Sequence, residues 1–345
     1  MDVLLAKYKT IKRPSHTDGD GGTKGESESK RQKGVQGTVV QAGRSSSSTG
    51  TTQLLGKRVV SIVCQGYEGF ANSVTHYYHF LFGVVIPLLE FHLANKGIVG
   101  YNIKTDVGPM KQVLCELPLN ILEMAGPEST LTRADATSAH VMLPAYDIFV
   151  QDIYGDQSIP TLRQDTIAKI SQFLFSSMPP YIKCLPVYDI VLIERTNNES
   201  YYRSLETEKR HIQSGSMLRS IGNHVMLSRA LESEFGCQFC NLSLERSSIY
   251  YQYHIFSRAK ILIAQHGAAL SNIVFMKPGP HTAVVEIRPP TPNIPLQFQG
   301  ASRTHFINLA KHIGLRHIEI RQEHDHADVD IVEVLSQVKS LVAAL

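Results

Sequence analysis

The sequence predicts an α/β fold in which helices cover parallel sheets, and three observations lead to that class. Apolar strands and amphipathic helices alternate along the second half of the chain, which is the pattern of βαβ units. The predicted strand at residues 187–194 is apolar almost throughout, as in a parallel sheet that is covered on both faces. The chain has 345 residues, 43% of them hydrophobic, which is enough for about two domains with substantial cores.

Residues 1–53 are predicted to form a disordered tail. Gly, Ser, Thr, Lys and Glu dominate this segment, and such a composition has too little apolar surface to offset the entropy of ordering. Residues 1–50 hold nine Lys and Arg against five Asp and Glu, whereas the whole chain has a net charge of +3. The remaining residues are therefore close to neutral, which argues against a nucleic-acid-binding face.

The first folded domain is predicted over residues 54–182. It opens with a strand at residues 58–64, followed by a buried helix at 77–91 and an amphipathic helix at 164–175. Three prolines between Met178 and Pro186 are expected to stop regular structure, because proline withholds a hydrogen-bond donor and fixes its φ angle. We therefore place the domain boundary in this segment.

The second domain is predicted over residues 183–328 as a doubly wound sheet. Strands are expected at 187–194, 237–242, 259–264, 282–287 and 315–320, and helices at 223–235, 247–258 and 306–313. Residues 329–345 form an amphipathic closing helix, which either packs back across the first domain or completes the second.

Charged and small residues follow three of these strands at the point where each strand ends. Arg195 follows residues 187–194, His266 and Gly267 follow residues 259–264, and Glu286 lies at the end of residues 282–287. Ligands of open α/β sheets bind outside the carboxyl ends of the strands. The sequence therefore places a candidate ligand site at this edge of the second sheet.

These residue types suit a nucleotide. Gly267 lets the backbone turn and approach a ligand, and Ala268 begins a predicted helix whose free N–H groups suit a pyrophosphate. Arg195 and Arg219 can pair with phosphate oxygens.

Two further side chains complete the candidate site. Glu286 can accept hydrogen bonds from ribose hydroxyls, and His266 can hold a phosphate or the leaving group. The competing interpretation is architectural, because turns from a strand through glycine into a helix are common without any ligand.

Four segments of the chain resemble glycosyltransferase family 61, which includes plant xylan xylosyl- and arabinosyltransferases and animal protein O-GlcNAc transferases. The most specific is Ala264-Gln-His-Gly-Ala-Ala-Leu-Ser-Asn-Ile-Val-Phe-Met-Lys-Pro-Gly279. Residues 189–195, 219–223 and 284–287 resemble further blocks of the family, and Tyr78-His79 with Ile86-Pro-Leu88 resembles its N-terminal block more weakly. The similarity spans residues 58–320.

The resemblance implies a GT-B architecture, in which two Rossmann-like domains face each other across a cleft. The second domain would bind a nucleotide sugar and the first a glycan or glycoprotein acceptor. Transfer would invert the anomeric centre without a metal ion or any cofactor beyond the UDP-sugar donor, for which xylose is preferred over GlcNAc. The implied donor-site residues are Arg195, Arg219, His266, Gly267, Ala268 and Glu286.

One departure from the family pattern concerns the catalytic base. Family members place an aspartate shortly after the Tyr-His pair, and Gly83 stands at the matching position here. An inverting displacement needs a base for the acceptor hydroxyl. His79 is the preferred candidate, followed by Glu68 and Glu90, although a buried His79 with a purely structural role fits the same apolar helix.

Two other functions are compatible with parts of the pattern. Gly83 in place of an aspartate suggests a catalytically inactive nucleotide-sugar-binding protein of the same fold. An unrelated Rossmann-like protein, such as an oxidoreductase, would carry a G-x-G-x-x-G motif after the strand at residues 58–64, and none is found there.

The remaining polar clusters predict no further site. Cys237 and Cys240 have the spacing of a redox or zinc pair, but without a second pair we expect ordinary core cysteines. The segment His324-Asp-His-Ala-Asp328 contains metal-binding residue types and is expected to be a solvated connection, so no metal site is predicted.

The chain is expected to be cytoplasmic and without a membrane span. Its most apolar stretch, residues 80–93, is interrupted by polar residues and is shorter than the ~20 residues that a bilayer requires. The five cysteines are odd in number and irregularly spaced, and no signal peptide is recognised before them, as in a reducing compartment.

Overall fold

The computed structural model describes residues 40–41, 58–64, 77–105, 107–125, 140–143, 146, 162–196, 216, 219–245, 247–290 and 305–344. These residues form two parallel sheets of five strands each. The α/β class and the parallel sheets predicted from the sequence are thereby confirmed.

The N-terminal sheet has the strand order β1-β5-β2-β3-β4. Its strands are β1 (Val40–Gln41), β2 (Arg58–Cys64), β3 (Ile98–Ile103), β4 (Ile121–Met124) and β5 (His140–Leu143). The sequence predicted β2 but not the other four. Strand β1 lies within residues 1–53, the predicted tail, and pairs with β5, which lies outside that segment. The other residues of the predicted tail lie outside the described residues.

The long helix α1 (Tyr77–Ala94) follows β2 and contains one π-helical segment, Leu81–Val85. Pro87 has no N–H to donate to the carbonyl of Gly83, so the usual i to i−4 ladder is interrupted there. The helix accommodates the interruption by a wider turn, in which the N–H of Ile86 bonds to the carbonyl of Leu81. The buried helix predicted at residues 77–91 is confirmed, with one turn added.

Helix α1 is apolar enough to be compared with a membrane span. It has a mean hydropathy of 1.3 over 18 residues, and 61% of that window is buried inside the fold. Among the described residues it is the one helix whose length and composition suffice to cross a bilayer. A mostly buried core helix has the same length and composition, so α1 is only weak evidence for a membrane span.

The remaining helices of the first half are α2 (Lys111–Glu116), α3 (Gln164–Ser177) and α4 (Pro180–Lys183). The 3-10 turn Gly108–Met110 leads into α2. Helix α3 confirms the predicted helix at residues 164–175. Helix α4 was not predicted; proline is tolerated at the first turn of a helix, where its missing N–H would have no partner.

The C-terminal sheet has the strand order β10-β9-β8-β6-β7. Its strands are β6 (Ile190–Ile193), β7 (Phe239–Leu242), β8 (Ile261–Gln265), β9 (Ala283–Arg288) and β10 (Arg316–Arg321). Its helices are α5 (His224–Phe235), α6 (Ile249–Phe256), α7 (His305–Ile313) and α8 (Ile331–Ala343). Each of these elements was predicted within a few residues, although β6 is shorter than expected.

Alternate residues of the C-terminal strands enter two different cores. Leu192 and Ile263 pack with Val334 and Val338 of α8 on one face of the sheet. The closing helix therefore completes the second sheet, and Lys339 adds an ion pair of 2.9 Å with Glu234 of α5.

The opposite face of the C-terminal sheet shares a core with the N-terminal half. Val191 and Leu262 belong to the same hydrophobic cluster as Val60 and Leu88. The carboxylate of Glu116 in α2 also accepts the N–H of Ile249 at the start of α6, at 3.1 Å. Although β5 and β6 flank the predicted boundary, this core is continuous, and the division at residue 182 stays a prediction.

Candidate functional site

The C-terminal sheet reverses its strand order between β6 and β8. The chain continues from β6 to β7 on one side, then crosses back to β8, β9 and β10 on the other. Such a point opens a crevice at the carboxyl ends of the two central strands, where doubly wound proteins bind their ligands. The residues that follow β6 and β8 are therefore placed where a ligand is expected.

Arg195 and the His266-Gly267 pair lie together at this point. The Nη1 atom of Arg195 donates to the carbonyl oxygen of His266 at 3.0 Å. A Cβ atom built on Gly267 would lie only 2.0 Å from the same Nη1 atom. The backbone of Gly267 is extended, with φ 161° and ψ 177°, so the close approach of the guanidinium, and not backbone strain, is what requires glycine there.

Arg219 reaches the same carbonyl from a different segment. Its Nη1 atom lies 3.4 Å from the oxygen of His266, and its Nε atom lies 3.2 Å from Oδ1 of Asp325. Two guanidinium groups thus converge on one carbonyl oxygen. The sequence predicts a solvated connection that includes Asp325. In the structure the carboxylate of Asp325 forms an ion pair with Arg219.

A hydrogen-bond network fixes the loop that carries Arg219. The Nε2 atom of Gln265 donates to the carbonyl oxygens of Ser220 and Asp325, at 2.9 and 3.1 Å, and to Oε1 of Gln322 at 2.6 Å. The side chains of Gln265 and Gln322 are almost fully buried. The loop is therefore attached directly to the carboxyl end of β8.

His266 is supported from behind by Glu286. Nδ1 of His266 lies 2.5 Å from Oε1 of Glu286, and Nε2 of His317 lies 2.7 Å from Oε2. Burial of the carboxyl acts to raise its pKa, but hydrogen bonds and charge from the two histidines outweigh it and lower the pKa of Glu286 from 4.5 to about 2. The edge of the His266 ring meets the ring of Phe306, with centroids 5.4 Å apart.

This arrangement changes what Glu286 can contact. The side chain is fully buried, and both of its oxygens accept hydrogen bonds from histidines. A ribose hydroxyl has no exposed carboxylate oxygen to reach at Glu286, and the ribose contact expected from the sequence stays a prediction. In the described geometry Glu286 contacts His266 and His317.

The segment after Gly267 is a 3-10 helix, Ala268–Phe275, and it begins where the sequence predicts the start of a helix. The N–H of Leu270 bonds to the carbonyl of Gly267 at 3.0 Å, and the hydroxyl of Ser271 donates to the carbonyl of Ala268 at 2.6 Å. The first N–H groups of any such helix have no partner within it. The backbone N–H groups at the start of this helix, beginning with Ala268, are therefore where we expect a bound anion.

The 3-10 helix is also attached to the first half of the chain. The hydroxyl of Tyr77 in α1 donates to Oδ1 of Asn272 at 2.8 Å, and Nδ2 of Asn272 donates to Gln252 at 2.8 Å. Asn272 is fully buried. Helix α1, which carries His79, is thereby held against the segment that follows His266.

The three candidate bases have different surroundings. His79 is half-buried in the first turn of α1, with its ring edge-on to Tyr78 at 5.2 Å. Glu90 accepts hydrogen bonds from the hydroxyls of Tyr146 and Thr166, the latter at 2.8 Å. Glu68 lies outside the described residues. Of the three, His79 and Glu90 lie among the described residues, and only Glu90 is a carboxylate bound by two hydroxyls.

The cysteine and histidine clusters weighed from the sequence contain no assembled metal site among the described residues. Cys237 is exposed and Cys240 is half-buried, and both thiols are free. The expectation of core cysteines is therefore wrong for Cys237, which lies in the 3-10 turn Gly236–Gln238 before β7. His326 accepts or donates a hydrogen bond with Ser220 at 2.9 Å.

His317 is the main residue of this site that the sequence did not indicate. It lies on β10, where the register pairs it with Val284 of β9 and sets it diagonally from Glu286. Only the strand register brings the two residues together. A search for polar residues at strand ends does not find it, because His317 lies near the beginning of its strand.

A comparison with known families gives a match over the middle of the chain. The sequence model of the family described as Glycosyltransferase 61 matches residues 77–285, more than half of the chain. The match includes α1, Arg195, Arg219 and the His266 segment, and it ends just before Glu286. No curated protein matches the chain. From the extent of the family match, the chain belongs to the glycosyltransferase 61 family.

Proposed function

We propose that the protein transfers a sugar from a UDP-sugar to a hydroxyl of a glycan or glycoprotein and inverts the anomeric centre, with xylose as the preferred sugar. In this reaction the acceptor oxygen attacks the anomeric carbon while the bond to the β-phosphate oxygen breaks. UDP leaves with the bonding electrons, and the hydroxyl proton passes to a base.

The convergence of Arg195 and Arg219 on the carbonyl of His266 carries this proposal. It occurs at the switch point of the C-terminal sheet, beside the start of the 3-10 helix Ala268–Phe275. The departing diphosphate gains negative charge as the sugar bond breaks. Preorganised cations and N–H groups at that place stabilise the transition state more than the ground state, which is how they accelerate the reaction.

The same cations support transfer without a divalent metal. A metal ion in such a site serves to neutralise the diphosphate, and two guanidinium groups supply that charge. Glu286 adds support from behind, because its Oε1 atom accepts a hydrogen bond from Nδ1 of His266. We accordingly propose that no metal or other cofactor is required.

His79 is the proposed base on the acceptor side. It lies on α1, which contacts the donor-side segment through Tyr77 and Asn272. The two five-stranded parallel sheets support a GT-B arrangement, with residues 54–182 binding the acceptor and residues 183–328 the nucleotide sugar. The cytoplasmic location expected from the sequence stays a prediction.

A nucleotide-sugar-binding protein without turnover is the second candidate. Gly83, which stands where family members place an aspartate, is buried in the π-helical segment of α1 and brings no carboxylate to that place. This candidate shares the donor site and differs only in lacking a base.

UDP release distinguishes the two candidates. The purified chain would be incubated with UDP-xylose, UDP-GlcNAc and other UDP-sugars, with a panel of glycan acceptors, in the presence of EDTA. Transfer of one sugar, with the product anomer inverted by NMR and the activity lost in His79→Ala, supports the proposal. Binding of a UDP-sugar without any release of UDP supports the inactive protein, and failure to bind any of them refutes both.

A further inference from the structure

His317, Glu286 and His266 are joined by two hydrogen bonds in the C-terminal sheet. His317 of β10 contacts one oxygen of Glu286 at 2.7 Å, and His266 contacts the other at 2.5 Å. The side chains of His317, Glu286 and His266 are 10%, 0% and 6% exposed. Among the described residues, these two histidines are the hydrogen-bond partners of the two Glu286 oxygens.

A carboxylate with no exposure depends on such partners. An isolated ionised carboxyl in an apolar interior becomes protonated, because burial disfavours the charged form. Two ring N–H groups, one on each oxygen, oppose that effect at Glu286. They also fix the plane of the carboxylate, so that Oε1 stays directed at Nδ1 of His266.

The state of His266 follows from this carboxylate. An acceptor at Nδ1 requires a proton on that atom, so in the proposed function Nε2 is the ring atom that faces the donor. Among the described residues, Arg195 and Arg219 contact the carbonyl oxygen of His266, and Asp325 is paired with Arg219. The carboxylate of Glu286 contacts the imidazole itself.

We propose that His317 is a positioning residue for sugar transfer: by holding Glu286 it keeps His266 protonated at Nδ1 and oriented towards the departing diphosphate. The role rests on the proposed function, in which His266 contacts that diphosphate. His317 acts through Glu286, which it contacts at 2.7 Å. Because the diphosphate gains negative charge as the sugar bond breaks, we expect the effect to fall more on the rate of the transfer step than on the ground-state binding of the UDP-sugar.

Two substitutions of similar size separate positioning from packing. His317→Gln keeps an amide N–H at about the distance of Nε2, whereas in His317→Asn the shorter side chain does not reach Glu286. We expect the Asn variant to lower kcat about tenfold or more, the effect of losing one hydrogen bond to a charged group, while KM for the UDP-sugar changes less than twofold. The Gln variant is expected to recover most of kcat.

An NMR measurement on the protein without ligand tests the same role independently of turnover. Two-bond ¹⁵N–¹H spectra of the imidazoles report which ring nitrogen of His266 carries a proton. We expect a proton fixed on Nδ1 in the wild type and in His317→Gln, and a mixture of tautomers in His317→Asn.

The outcomes are distinguishable from failure of the proposed function. If the wild type transfers no sugar, the proposed function fails, while the spectra still decide whether His317 positions His266. Equal loss of kcat in the Gln and Asn variants, or an unchanged His266 spectrum in His317→Asn, would overturn the positioning role.

Discussion

Gly267→Ala is expected to weaken UDP binding while leaving the fold intact. The new Cβ atom would lie 2.0 Å from Nη1 and 3.2 Å from Cζ of Arg195, whereas ordinary contacts begin at 3.4 Å. The guanidinium must therefore withdraw from the His266 carbonyl, which it contacts at 3.0 Å. The backbone at Gly267 is extended, a conformation that alanine also adopts.

The size of the loss in UDP affinity follows from the hydrogen bond between Arg195 and the diphosphate that the displaced guanidinium no longer makes. A hydrogen bond to a charged group contributes about 1.5–3 kcal/mol, which corresponds to roughly 10- to 150-fold in the Kd for UDP. The free energy of unfolding is expected to stay within about 1 kcal/mol of wild type, since the atom that must move is the end of a flexible side chain and alanine restricts the unfolded chain.

Calorimetric titration with UDP tests this prediction, because it measures the Kd for UDP in Gly267→Ala and in a matched control variant. Gly279→Ala makes the same chemical change, but its Cβ would meet only Oγ1 of Thr282, at 3.8 Å. We expect the control to bind UDP like the wild type. In an Arg195→Ala background, Gly267→Ala should add no further loss, because the group that it displaces is absent. Additive losses, or unchanged binding in the single Gly267→Ala variant, would show that Gly267→Ala does not act by displacing Arg195.

Three further predictions concern stability. Pairing lowers the pKa of Glu286 from 4.5 to about 2, so above pH 4.5 the carboxylate contributes roughly 3 kcal/mol to the free energy of unfolding. This contribution is lost as the pH falls towards 2, so the stabilities of wild type and Glu286→Gln, measured by acid unfolding, should converge. Tyr77→Phe removes the 2.8 Å bond to buried Asn272 and should lower the unfolding free energy by about 1–3 kcal/mol in urea, an effect absent if that bond does not form. Asp330 accepts the N–H groups of Val332 and Glu333 at 2.9 and 3.1 Å, so Asp330→Ala should cost about 1 kcal/mol in the same assay, and an unchanged midpoint would contradict the cap.

The C-terminal sheet was predicted well because its central strands, β6, β8 and β9, are mostly apolar and fully or almost fully buried, and clear helices separate the strands. Ile190 and Val191, which enter the cores on opposite faces of the sheet, are both fully buried, so the sequence there is apolar and easily recognised. In the N-terminal sheet, Gly100 and Asn102 interrupt β3, and β4 is short and partly exposed. Local pattern alone does not identify such strands, since their neighbours in the sheet decide them.

The candidate site was predictable only where it lies at the ends of strands. Arg195 and His266 were found because carboxyl ends of parallel strands meet at one edge, and the structure brings them to 3.0 Å. The contacts of Arg219 with Asp325 and of Glu286 with His317 join residues about 30 to 100 positions apart. They depend on register and loop packing, which one sequence does not reveal.

The most direct test of the donor site is the thermal stability of the purified chain with and without UDP in EDTA. A ligand that binds only the native state stabilises it, by about 2.7 kcal/mol at a concentration of 100 times its Kd. We expect a rise in Tm for the wild type and for Arg229→Ala, an exposed arginine of α5, and a much smaller rise for Arg195→Ala. No rise in the wild type, or an equal rise in Arg195→Ala, would contradict a diphosphate site at the carboxyl ends of β6 and β8.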